Sequence, residues 1–176
     1  MQIDGCIGLS MIVDRESREC TVTTSWQSEE AMRASLEQIE PLRSRAVEIL
    51  GGTPEYREWE IALMHREHST HDGACVRAGW LQTAPSNLDT LIQTYRTFAL
   101  PQLEQLEGFC SASLLVGRDT GMAVASACFA SRADMNANRD QATQIRTQGT
   151  KQAKTEVVKV GEFDLAVAHL RIPEMV

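Results

Sequence analysis

The sequence predicts an α+β protein built from two ferredoxin-like repeats in tandem, the first lacking its opening strand and helix. Two observations carry this. The segment DGCIGLSMIVDRESRECTVTTSWQSEEAMRAS from Asp4 aligns without a gap on EGFCSASLLVGRDTGMAVASACFASRADMNAN from Glu107. Gly5 then falls on Gly108, Ser10 on Ser113, Val13 on Val116, Arg15 on Arg118, Ser28 on Ser131, Met32 on Met135, Ala34 on Ala137 and Gln38 on Gln141. The order of elements also recurs, and in the second copy it reads β-α-β-β-α-β, the split βαβ order of ferredoxin-like domains.

Each copy opens this shared stretch with an apolar run, Cys6 to Val13 or Phe109 to Val116, that meets a charged turn holding Arg15 or Arg118. An alternating strand follows and ends in an aromatic, Trp26 or Phe129, so each pair reads as a β-hairpin. Two residues later Ser28 and Ser131 are placed to accept a backbone N–H as helix N-caps, and Glu29 and Glu30 complement the dipole of the first helix. The helices are expected to run to Gly51-Gly52 and to about Gly149, with Pro41 kinking or breaking the first. A final strand closes each copy, EYREWEIALMH and EVVKVGEFDLAVAH. With a one-residue shift these place Glu58 on Glu162, Trp59 on Phe163, Ala62 on Ala166 and His65 on His169.

The second copy carries more at its front. CVRAGWLQTA reads as a strand, and SNLDTLIQTYRTFALPQLEQLEG as a helix capped by Ser86, with Leu88, Leu91, Ile92, Tyr95 and Ala99 on one face and Pro101 bending or ending it. The expected organisation is therefore an incomplete repeat over 1–67, a linker over 68–73 and a complete repeat over 74–176. The half-module is expected either to lack residues upstream, to be completed by another chain, or to keep an open edge.

Composition narrows the function classes. Seventeen basic against twenty-four acidic residues give a net charge of -7, which disfavours nucleic acid as partner. No apolar run approaches the roughly 20 residues of a membrane span, and MQIDGCIGLS lacks a signal-peptide order, so a soluble cytoplasmic protein is expected. Five cysteines without a CxxC spacing suit reduced, buried thiols. His65, His68 and His71 share a short stretch with Asp72 and Cys75. However, spacing of i, i+3, i+6 does not converge on a helix or strand as an i, i+4 pair does, and His65 is explained by its counterpart His169. No metal site is expected.

The SWQSEEAM segment resembles the W-x-S-x-x-A passage of the antibiotic biosynthesis monooxygenase family. LPQLEQLEGFCSASLLVGRDTG is similar to that family's P-x-L…G-F passage from helix to hairpin. The resemblance covers nearly the whole chain and implies that the repeats pack as the family's dimeric α+β barrel, here within one chain. It implies a protein that binds a small apolar or aromatic molecule, and a cofactor-independent monooxygenase as the enzymatic form. The alternative is a non-catalytic ligand-binding or assembly module on the same barrel, and a homo-oligomer, a dimer, is expected. The haem-degrading branch of the family has an aromatic and a haem-ligating His where this chain has Ser35 and Arg45, or Asn138 and Gln148, so no haem and no other cofactor is expected. The first-strand Asn of that branch has no counterpart between Ala74 and Ala84.

Oxygenation without a cofactor needs a base, a water-poor pocket and donors for a developing oxyanion. The resemblance places such a pocket between sheet and helices, which makes Trp80 and Tyr95 its candidate walls. His169 and His65, the only histidines expected on strands, are the candidate bases, His169 foremost, with Tyr95 as a second catalytic candidate. Trp26, Phe129 and Trp59 are the remaining substrate-binding candidates, although large aromatics on amphipathic elements commonly serve as core. Arg15 and Arg118 are read as solvated turn residues, and Cys75 and Cys110 as thiols without an activating neighbour.

Overall fold

A computed structural model describes residues 3–170 and 173–175. Seven strands form one antiparallel sheet in the order β2-β1-β7-β4-β6-β5-β3. They are β1 (Cys6–Asp14), β2 (Glu19–Trp26), β3 (Glu60–Arg66), β4 (Cys75–Gln82), β5 (Phe109–Gly117), β6 (Met122–Phe129) and β7 (Glu156–Leu170). The hairpins β1–β2 and β5–β6 stand where the alternating sequence places them. The sheet runs through both parts of the chain: β1 pairs with β7, and β3 with β5. The four strands after residue 74 lie in the order β7-β4-β6-β5, which is the ferredoxin-like arrangement.

The two sheet faces differ because side chains alternate along each strand. On β4, Cys75 and Leu81 join the principal core together with Leu114 and Val116 of β5 and Ala123, Ala127 and Phe129 of β6. The helices cover this face. On the other face Ala74 and Val76 cluster with Cys110 and Cys128, and Ile12 of β1 and Leu165 of β7 pack on them.

Ser28 and Ser131 both cap as expected, with φ/ψ of -155/167 and -150/165, accepting from the N–H of Ala31 and Asp134. Each following helix is nonetheless divided, into α1 (Glu29–Ala34) and α2 (Leu36–Leu50), and into α5 (Arg132–Ala137) and α6 (Arg139–Gln152). The divisions fall at Ser35, whose hydroxyl donates to Met32 O, and at Asn138, whose amide donates to Glu107 O and Asp134 O. Local side-chain bonds to backbone compete there with the helical ladder. Pro41 does not end the helix but lies inside α2, and Gly149 lies inside α6 rather than at its end.

The helix before β5 is also more segmented than its apolar spacing predicts. A 3-10 turn (Pro85–Asn87) leads into α3 (Leu88–Thr94), one turn of π-helix (Tyr95–Ala99) and α4 (Leu100–Leu103). Ser86 makes no capping bond to α3; the segment is anchored instead by the Asn87 amide, which donates to Thr83 Oγ1 and Ala153 O. Pro101 sits in the first turn of α4, where its missing N–H costs nothing.

Candidate functional site

A cavity of about 90 Å³ lies between the central strands and the helices. Its floor is made of absent side chains. Gly79 of β4 stands opposite Ala125 of β6, and Arg77 opposite Ala127. The helices above contribute Ala99, Ala142 and Gly149, so small residues on both layers leave the space open, while Leu91, Leu103 and Ile145 make its walls apolar. The π-helical turn crosses here; such turns recur at functional sites because they displace one helical side chain from its regular position. The displaced turn begins with Tyr95.

Tyr95 is buried and lines the cavity. Its hydroxyl points to the Ser126 carbonyl at 3.4 Å, a long bond, and burial pushes the phenol well above its ordinary value, so it stays protonated and is a donor. Phe129 also borders the cavity. Two cations complete the lining. Arg77, 7% exposed, donates from Nε (3.1 Å) and Nη2 (2.9 Å) to Glu162 and from Nη2 to Met135 O at 3.0 Å. Arg146 of α6 crosses over Gly79, where a Cβ would meet its Cδ at 3.9 Å. A larger depression of about 520 Å³ beside Thr83 and Asn87 is open, and its amide and hydroxyl already bond one another.

The other sequence candidates lie elsewhere. Trp80, between Gly79 and Leu81, projects to the opposite sheet face, where it meets Phe163 edge-on at 6.0 Å and carries Lys159 over its ring. His169 is exposed on β7 opposite Leu9 and does not line the cavity. Trp26 ends β2 with its Nε1 donating to Thr24, and Trp59 lies near Gly117. Neither borders the cavity.

The histidine stretch disperses. His68 and His71 are exposed, whereas His65 is partly buried with Nδ1 2.6 Å from Glu174 Oε1. Its Nε2 is 3.0 Å from Glu104 Oε1 without hydrogen-bond geometry. Among the described residues no group of three or more His, Cys, Asp or Glu is arranged to hold a metal ion. Arg15 pairs with Asp164, and Arg118 with Glu60 and Asp89. All five cysteines are free thiols. No described helix is long and apolar enough to cross a membrane.

Arg77, Arg146 and the small-residue floor had escaped the sequence reading. The available signal was Arg77 itself, a charge inside the otherwise apolar CVRAGWL run.

No protein-family model matches the chain. It is 50% identical over 174 residues to "Uncharacterized protein Rv2557" of Mycobacterium tuberculosis, an alignment covering 99% of this chain and 78% of that protein. To "Uncharacterized protein Rv2558" of the same organism it is 48% identical over 176 residues, covering 99% and 75%. Among solved structures, an anthrone oxidase-like protein superposes with a TM-score of 0.67 at 14% identity, covering 100% of this chain and 83% of that one. A ferredoxin fold protein of Listeria monocytogenes related to antibiotic biosynthesis monooxygenases gives 0.52 at 8%, covering 95% and 83%. A heme-degrading enzyme of Listeria monocytogenes gives 0.51 at 10%, covering 89% and 83%. At such identities the likeness is one of fold.

Proposed function

Because the chain belongs to one family with the mycobacterial proteins Rv2557 and Rv2558, and shares its fold with monooxygenase-like proteins, we propose that it binds a small apolar or aromatic molecule in the cavity beneath Tyr95. The observation that carries this reading is the coincidence of the small-residue floor, the apolar walls and the π-helical turn at one place. In its enzymatic form the site is that of a cofactor-independent monooxygenase. Tyr95, held protonated, would donate to an oxyanion forming on the substrate, and Phe129 would help exclude water. His169 serves as base only if the strand end that carries it is brought to a substrate, since it stands in solvent away from the cavity.

Among the described residues the cavity lining holds neither histidine nor carboxylate to act as base, which favours a second reading, a binding module without chemistry. Oxygen uptake separates the two. Chelator-treated protein is mixed with single-ring phenols in a sealed oxygen electrode. Uptake that is lost in Tyr95→Phe supports the oxygenase; binding of the same phenols without uptake supports the module.

The architecture we propose around the site is tandem, with an incomplete repeat over 1–67, a linker over 68–73 and a complete repeat over 74–176, acting in the cytoplasm as a homo-oligomer. Pairing of β1 with β7 and of β3 with β5 supports it, since each joins a hairpin's first strand to the closing strand of the other repeat. In that scheme the place corresponding to β4 lies between β2 and β3. Met175 touches it from one side, exchanging two backbone hydrogen bonds with Met64 of β3.

A further inference from the structure

We infer that the cavity over Gly79 is built to take an anion, and that its ligand is a small apolar carboxylate, a single ring or short acyl chain with the charged end toward Arg77 and Arg146. This rests on the cavity being the binding site and adds the charge that its ligand must carry.

Arg77 is buried among apolar groups, and a buried guanidinium is stable only when its donors are used. Nε and Nη2 are used, but Nη1 is buried without a hydrogen-bond partner. The carboxylate that serves Arg77 is shared, because Glu162 also accepts from Arg139 through its other oxygen at 2.8 Å. One negative charge thus stands against two positive ones before Arg146 is counted.

Arg146 adds the third. Its hydrogen bond to Thr143 Oγ1 is long at 3.4 Å. Burial, and then the neighbouring charge of Arg77, both lower its affinity for its proton. Among the described residues no Asp or Glu lines the cavity to compensate. In a chain of net charge -7, Arg77 with only a shared carboxylate and the partly buried Arg146 with none form an excess of positive charge beside an apolar space that a ligand anion would relieve. A structural role for Arg77 as anchor of Glu162 accounts for Nε and Nη2, but leaves both Nη1 and Arg146 unexplained.

Size sets the rest of the ligand. The cavity, about 90 Å³, is smaller than the roughly 150 Å³ space that encloses benzene in an engineered core, so a fused polycycle does not fit and a single ring enters only if the walls move apart.

The test titrates the intact chain with benzoate and with benzyl alcohol, a neutral molecule of similar size, by calorimetry. The methyl resonances of Leu91, Leu103 and Ile145 report whether the cavity is the place of binding. Benzoate should bind there, with benzyl alcohol at least about tenfold weaker, the range expected for losing a charge-assisted hydrogen bond. Arg146→Gln should cost benzoate about tenfold and leave benzyl alcohol unchanged, while Arg146→Lys, which keeps the charge, should retain part of the affinity. Equal affinity for the two molecules, or benzoate binding indifferent to Arg146→Gln, overturns the anion inference and leaves an apolar site standing. Failure of both molecules to move the cavity methyls overturns the site itself.

Discussion

Tyr95 and Phe129 were legible in the sequence because aromatics on amphipathic elements are visible by type and spacing, and both border the cavity. Trp80 shares that visibility but faces the other side of the sheet. A strand such as CVRAGWLQ, apolar on both alternate sets apart from Arg77 and Gln82, does not reveal which set meets the helices, because both faces are covered. The residues that make the space, Gly79, Ala99, Ala125 and Gly149, are defined by what they lack, and a list of reactive side chains passes over them. Two predictions belong at this scale. Arg77→Ala would leave Glu162 with only the exposed Arg139 as partner, and should destabilise the protein by about 3 kcal/mol in urea denaturation, the order found for breaking a buried pair. Thiol titration should separate exposed Cys6 and Cys20, which react in the folded state, from Cys75, Cys110 and Cys128, which react only after unfolding. Burial raises all three of the latter, and the Cys128 thiol is pushed up to about 12.

The elements were foreseen in kind more accurately than in extent. Both caps were readable because Ser before an acidic turn has a local mechanism, whereas the breaks at Ser35 and Asn138 depend on carbonyls presented by the folded backbone, including that of Glu107, far away in the sequence. The hairpin turns offer a sharper test. Gly121, at φ +71, closes the β5–β6 turn, and a Cβ there would lie 2.0 Å from the Thr83 carbonyl oxygen. Gly121→Ala should therefore cost about 2 kcal/mol or more in thermal or chemical denaturation. Gly52→Ala, at φ +81 with nothing within 4 Å of its new methyl, should cost less. The same hairpin is tied to β3 and α3 by Arg118, which bonds Glu60 and Asp89. The bonds from Arg118 hold the Glu60 carboxyl below its ordinary value, against the opposing effects of burial and of the Asp89 charge. A depressed carboxylate stabilises the fold fully above its unfolded pKa of about 4.3 and loses that contribution as pH falls through its lower folded value. Glu60→Gln should thus lower the melting temperature slightly at pH 7, and the difference from the parent should vanish in acid. Both partners are half exposed, so the effect is small.

For the whole molecule, the ferredoxin-like order was readable from the β-α-β-β-α-β succession of apolar patterns after Ala74. The joining of β1 to β7 and of β3 to β5 in one continuous sheet was a matter of long-range pairing that spacing alone does not encode. Among the described residues the sheet ends in β2, bonded along one edge, and in β3, whose outer edge carries the one bridge to Met175. Leu36, Leu42, Ile49 and Leu50 of α2 are exposed on the same part of the chain. Unpaired edges next to apolar surface favour association, and sedimentation equilibrium should find about twice the 19.5 kDa chain mass.

The position of β7 also governs when the sheet can exist at all. It lies between β1 and β4 and bonds to both along its length, yet among the seven described strands it is the last in sequence order. On the ribosome the β1–β2 hairpin would therefore wait, its inner edge bare, until β7 was made. In a nascent chain stalled before Glu156 the described strands would stand as two groups, β2-β1 and β4-β6-β5-β3, with no shared ladder until β7 joined them.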